Sequence, residues 1–220
     1  MMTKDMIRCI AIDGTDGSGK TTIVEALKDI YNVIVLPRFY SMQMVPTDPQ
    51  ERKAWFLNSD PELTTAIYIS GQQLRFRAAA EFKKGLHYKV YESKKEPLVV
   101  IDRGPLSVKA FSYAALKETM LTDNKIEYFI EKHFLSDLPS TVIDRSFLLF
   151  ENDPKCIEMI LQRRQYDERD KQLTYLQHEY YVKHIDAIKS ISDITIISPI
   201  LPREQIIQEV MEQIKEIVYV

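Results

Sequence analysis

The residues with the clearest chemistry stand together near the start of the chain. Gly14-Thr15-Asp16-Gly17-Ser18-Gly19-Lys20-Thr21, followed by Thr22, satisfies the pattern G-x-x-x-x-G-K-[ST] at every position. Glycines let successive backbone N–H groups converge on phosphate oxygens, and a helix starting there adds the positive end of its dipole. In such a loop Lys20 reaches the β- and γ-phosphates and the Thr21 hydroxyl sits on Mg²⁺, so a nucleoside triphosphate and its metal are the ligands implied. At average residue frequencies the pattern arises by chance in about 1% of chains of this length.

A second group is the apolar run 98–101 (LVVI), which ends in Asp102. In an open parallel sheet, ligands bind at the carboxyl ends of strands, so Asp102 is expected in the crevice of the phosphate loop. Asp144-Arg145 precedes an apolar run instead of ending one. It is expected at the opposite end of the sheet, as a solvated turn. The four histidines show no metal-ligand spacing with cysteines or carboxylates, and no Ser/His/Asp arrangement stands out.

These groups need a scaffold, and the pattern supplies one. Residues 6–12 (MIRCIAI) read as a buried strand entering the glycine loop, and 21–30 read as a helix with Ile23, Leu27 and Ile30 on one side. Further short strands are expected at 32–36, 98–101, 146–150 and 194–197. Between them run helical stretches: 62 to about 95 with a break near Gly85, one after Pro105, 125–135, one from Asp153-Pro154, one to about 190, and 203–218. Five apolar strands alternating with helices predict an α/β fold, a doubly wound five-stranded parallel sheet with helices on both faces. No repeat or linker divides residues 1–220, so one domain is expected.

Composition excludes other classes. With 45% hydrophobic and 28% charged residues the chain reads as an ordinary globular protein, and no apolar run reaches the roughly 18 residues of a membrane span. The net charge of −3 argues against a nucleic-acid polymer as partner, since that calls for a basic stripe. Two cysteines, Cys9 and Cys156, and no secretory apolar segment point to a reducing, cytoplasmic setting.

Taken in order, these motifs resemble the thymidylate kinase family of P-loop nucleoside monophosphate kinases. The run 12–22 (IDGTDGSGKTT) is similar to that family's strand and phosphate loop, including the acid at Asp16. Asp102-Arg103-Gly104-Pro105-Leu106-Ser107, continuing to Phe111, resembles its Asp-Arg-aromatic segment, with Gly104 where the aromatic belongs. Residues 153–170 resemble its arginine-bearing lid, placed at about 163–170, and Leu36-Pro37-Arg38 resembles its phosphate-binding arginine.

The resemblance implies an ATP- and Mg²⁺-dependent kinase of a deoxynucleoside 5′-monophosphate, dTMP first. Arg38 and Arg103 would clamp the acceptor phosphate, and Asp16 would accept from the deoxyribose 3′-hydroxyl. Arg163, Arg164 and Arg169 would neutralise the transferred group, and Ser107 and Phe111 would border the acceptor. The family's base-reading arginine is replaced here by Gln73, or falls at Arg75 with the register shifted. Gly104 would leave room near the sugar or base. The resemblance also implies a homodimer, formed through helices around 62–83 and 105–117. Two alternatives stay open: a kinase of a deoxynucleoside or of another deoxynucleotide, and a non-catalytic ATP-binding module.

Overall fold

The structure, a computed structural model, describes residues 7–36, 46–84, 97–119, 122–134, 137–163 and 166–218. In chain order the elements are β1 (Arg8–Gly14), α1 (Lys20–Lys28), β2 (Asn32–Val35), α2 (Pro49–Asn58), α3 (Pro61–Lys83), β3 (Pro97–Asp102) and α4 (Pro105–Lys117). There follow α5 (Asp123–His133), α6 (Asp137–Val142), β4 (Arg145–Leu149), α7 (Pro154–Gln162), α8 (Glu168–Lys189), β5 (Ile194–Ile197) and α9 (Arg203–Val218). The five strands lie where the apolar runs place them; α6 is an added short helix. Arg38, Arg164 and the expected break at Gly85 lie outside the described residues.

All strand pairs are parallel, in the order β2-β3-β1-β4-β5. From β1 the chain passes to the β2 edge, returns to β3, then crosses to β4 and β5. The direction of winding therefore reverses around β1, and a ligand crevice opens at its carboxyl end. Alternation along β1 builds the two layers. Cys9 and Ala11 face α3, α4 and α8, packing with Phe76, Val108, Tyr113 and Tyr181. Ile10 and Ile12 face α1 and α9, packing with Ile23, Leu27, Val210 and Ile214. Ile30 is 41% exposed and does not join them, because α1 ends at Lys28.

Three helices start alike, with an Asp cap before a first-turn Pro: Asp48-Pro49, Asp60-Pro61 and Asp153-Pro154. Each carboxylate accepts from an otherwise unpaired N–H of the first turn, and Pro costs nothing where no donor is needed. Asp144 does lie at the amino end of the sheet, but it is no solvated turn. It accepts from the Cys9 N–H at 2.8 Å and pairs with Lys83 at 2.7 Å and Arg8 at 3.9 Å. Both cysteines are buried and free. Among the described residues no helix is long and apolar enough to cross a membrane.

Candidate active site

Residues 14–20 connect β1 to α1, the strand-to-helix turn that the loop chemistry requires. Gly17 has φ +81°, a conformation side chains resist, and a Cβ there would collide with the Tyr166 hydroxyl and press on Ile160. The loop is thus roofed at its apex by the segment joining α7 to α8. Lys20 is 6% exposed, and its ammonium donates to the carbonyls of Gly14 at 2.9 Å and Thr15 at 2.6 Å. Burial pulls its pKa down to about 8, against the opposing pull of Asp16. A partly desolvated cation resting on two carbonyls is ready to exchange them for phosphate oxygens.

Two residues assigned to the acceptor instead join the loop to α4. The N-terminus of α4 begins at Gly104, which has no side chain to cap it. Asp13, fully buried at the end of β1, does so from outside: its Oδ1 accepts from the Ser107 N–H at 2.6 Å. The Ser107 hydroxyl in turn accepts from the Gly14 N–H at 3.1 Å. Ser107 is 5% exposed, so it ties loop to helix and is not turned to a substrate. Gly104 makes no room for a base either. A Cβ there would lie 2.5 Å from the Ala11 Cβ and 2.6 Å from Asp13 Oδ2, so the glycine is what lets α4 sit against β1.

Arg103 follows β3 with φ 67°, a strained value for a non-glycine residue. Its N–H donates to the Ile12 carbonyl at 3.0 Å. Beneath it Arg75, 1% exposed, donates to the carbonyls of Asp102 at 2.8 Å and Arg103 at 3.5 Å, and to Gln72 Oε1 at 2.6 Å. Arg75 therefore supports the turn from inside the protein, sealed from solvent. So held, the Arg103 guanidinium meets Asp16 at 2.7 Å. Asp16 also engages Gln177 of α8, which its own residue type gave no reason to single out.

Gln73 is turned elsewhere. Its amide donates to the carbonyl of His133, covering the C-terminal end of α5, so it does not read a base in this geometry. Phe111 is half-buried against Tyr68, with ring centroids 4.7 Å apart. Phe39, Tyr40 and Tyr113, like Phe111, are expected from the sequence to flank the crevice; Tyr113 is instead fully buried in the core, and Phe39 and Tyr40 lie outside the described residues.

A cavity of about 540 Å³ opens over the loop. Residues 16–22 line one side, with Asp102 and Arg103; Arg163 and the start of α9 line the other. That second wall, Pro199, Leu201, Arg203, Ile206 and Ile207, is apolar with cationic edges, suited to a flat ring. Sequence reasoning missed it; the available signal was its place after the last strand, at the same carboxyl end of the parallel sheet as the loop. The lid arginines separate. Arg163 borders the cavity and donates to the Pro199 carbonyl at 3.0 Å, on the far wall from the loop. Arg169 pairs with both carboxylate oxygens of Glu118, at 3.0 and 3.4 Å. It stands eight residues before Gln177 on α8, about 12 Å along the axis from the residue touching Asp16.

The donor set fits Mg²⁺ brought in with a triphosphate. The exposed Thr21 side chain and the Asp102 carboxylate border the same cavity, and no cluster of three or more His, Cys, Asp or Glu suited to a metal occurs among the described residues. Mg²⁺ in such sites takes one or two protein oxygens and completes its shell from phosphate and water.

The sequence family described as an AAA domain matches residues 9–188. The chain belongs to that family. Two solved structures are similar across nearly the whole length. Thymidylate kinase from Candida albicans superposes with a TM-score of 0.61 at 15% identity, covering 97% of this chain and 93% of that one. Deoxyadenosine kinase from M. mycoides, with bound dATP, gives 0.57 at 14%, covering 94% and 98%. At such identity the likeness is one of fold, and the expected five-stranded P-loop kinase fold is the one observed. No curated protein matches the sequence.

Proposed function

We propose that this protein is an ATP- and Mg²⁺-dependent kinase that phosphorylates a deoxynucleoside 5′-monophosphate, with dTMP the first acceptor to test. The observation that carries this reading is the Arg103–Asp16 pair at 2.7 Å. Gripping a triphosphate requires backbone N–H groups and Lys20; it does not require a guanidinium held by a strained backbone, nor a carboxylate that would repel the nucleotide. An arginine fork suits a second phosphate and an acid suits a sugar hydroxyl, so the pair describes a second ligand.

On this reading Lys20 would exchange the two loop carbonyls for the β- and γ-phosphates, and Thr21 and Asp102 would hold Mg²⁺, which would supply charge to offset that of the phosphates. Arg103 orients the acceptor phosphate, aided by Arg38, and Asp16 the sugar. Asp13, Ser107 and Arg75 fix the turn on which Arg103 rides. Phosphoryl transfer asks for little covalent work from the protein, so alignment and fixed positive charge carry the rate.

The likeness to deoxyadenosine kinase supports a second reading, in which the acceptor is a 5′-hydroxyl. Arg103→Ala separates the two. Under the first reading kcat/KM for monophosphates falls by about 100-fold or more while ATP binding persists. Equal rates on nucleosides and monophosphates, unaffected by the substitution, would overturn it.

A further inference from the structure

The acid of the phosphate loop is set in place from across the molecule. Asp16 and Gln177 are 161 residues apart, yet one amide meets Asp16 twice. Gln177 Oε1 accepts from the Asp16 backbone N–H at 3.2 Å, and Gln177 Nε2 donates to Asp16 Oδ2 at 3.2 Å. The other carboxylate oxygen, Oδ1, meets Arg103 at 2.7 Å. Backbone and side chain of Asp16 are thereby closed into a ring with a single planar amide, which fixes the side-chain torsion. Only a side chain offering a donor and an acceptor in one plane can do this.

Gln177 is itself rigid. It is 4% exposed, on the α8 face that also buries Thr174, Tyr181 and Ile185. If packing alone governed that position, an apolar residue would fill it, as Ile185 does about two turns further along the same face. The adjoining loop residue is met from the same unit, since Tyr166 and Ile160 close on Gly17. The loop apex is thus seated on α7, α8 and the segment between them.

We infer that Gln177 is a positioning residue: its amide aims the Asp16 carboxylate at the acceptor, and thereby governs acceptor recognition without touching the triphosphate. The inference rests on the kinase reading above for its functional consequence, but not for the clasp itself. Gln177→Leu removes both hydrogen bonds. Gln177→Glu keeps shape and the acceptor for the Asp16 N–H, but loses the donor and sets a second carboxylate against Asp16.

The test combines steady-state kinetics on the full chain with amide hydrogen exchange, on unaltered protein and both variants. Exchange at the Asp16 amide should quicken about 10-fold or more in Gln177→Leu, with the β1 amides unchanged. KM for the acceptor should rise about 10- to 100-fold in both variants, with KM for ATP within about twofold. Unchanged exchange at Asp16 overturns the clasp. Acceptor and ATP KM values that rise together, or do not move, overturn its role in recognition. Should the unaltered chain phosphorylate no acceptor, the kinase reading falls, and with it the role in recognition, while exchange at Asp16 still decides the clasp.

Discussion

Asp13 gives the sharpest quantitative handle on this architecture. Its carboxyl is fully buried, with Oδ1 on the Ser107 N–H and Oδ2 without a hydrogen-bond partner. Burial raises its pKa from 3.8 to about 6, the Ser107 hydrogen bonds and Lys20 opposing. Between those values the folded protein holds a proton that the unfolded chain has released, so rising pH favours unfolding there. At about 1.4 kcal/mol per pH unit, the interval amounts to about 3 kcal/mol of stability, present at the acid end and lost by neutrality. Asn at this position keeps an oxygen for Ser107 and cannot ionise. Urea unfolding of the unaltered chain and Asp13→Asn should therefore give stability curves that diverge with rising pH. The variant should gain about 3 kcal/mol relative to the unaltered chain between about pH 4 and pH 7.5. Asp123, held down to about 2 chiefly by Lys117, bends both curves at the acid end alike and cancels in the difference. Parallel curves, or a variant that loses ground as pH rises, would refute a buried, proton-holding Asp13.

Other consequences are simpler to measure. Lys20→Ala should cut kcat by about 100-fold or more while leaving the thermal unfolding transition in place, because the ammonium's partners are loop carbonyls and not core groups. Gly104→Ala should destabilise the fold by about 1–3 kcal/mol in a urea titration, since its Cβ would press on Ala11 and Asp13. The two described lid arginines should behave differently. Arg163→Ala should raise KM for ATP several-fold by loosening the cavity wall, whereas Arg169→Ala should leave kcat within about twofold and cost less than about 1 kcal/mol, as a partly exposed pair with Glu118 does.

Much of this site is legible from residue types because the chemistry dictates them. A phosphate loop needs glycine where φ is positive and a lysine at its base, and Asp102 ends an apolar strand beside it. What stays hidden is set by contacts between distant segments. Ser107 could be placed near the loop, but its partner Asp13 becomes evident only when α4 is seen against β1. Gln177 is one polar residue among several on a long helix until the fold sets it against Asp16. The phase of α3 misleads for another reason. Leu63 and Leu74 are exposed while Thr64, Thr65, Gln72 and Arg75 are buried, so residue type does not mark the inner face of the helix, and the resemblance alone cannot tell that Gln73 turns to the His133 carbonyl and Arg75 to the carbonyl of Asp102. Arg169 illustrates the same limit: a charge near a lid reads as a phosphate ligand until Glu118, from the end of α4, claims it.

The claim that loop and Arg103–Asp16 pair form a two-nucleotide site is tested most directly by acceptor-dependent turnover. Purified protein with ATP and Mg²⁺ is offered a panel of deoxynucleoside monophosphates and deoxynucleosides, with ADP release and the phosphorylated product both followed. The account predicts ADP release that depends on a deoxynucleoside monophosphate and matches formation of the diphosphate. ATP binding without acceptor-dependent ADP from any member of the panel would contradict it.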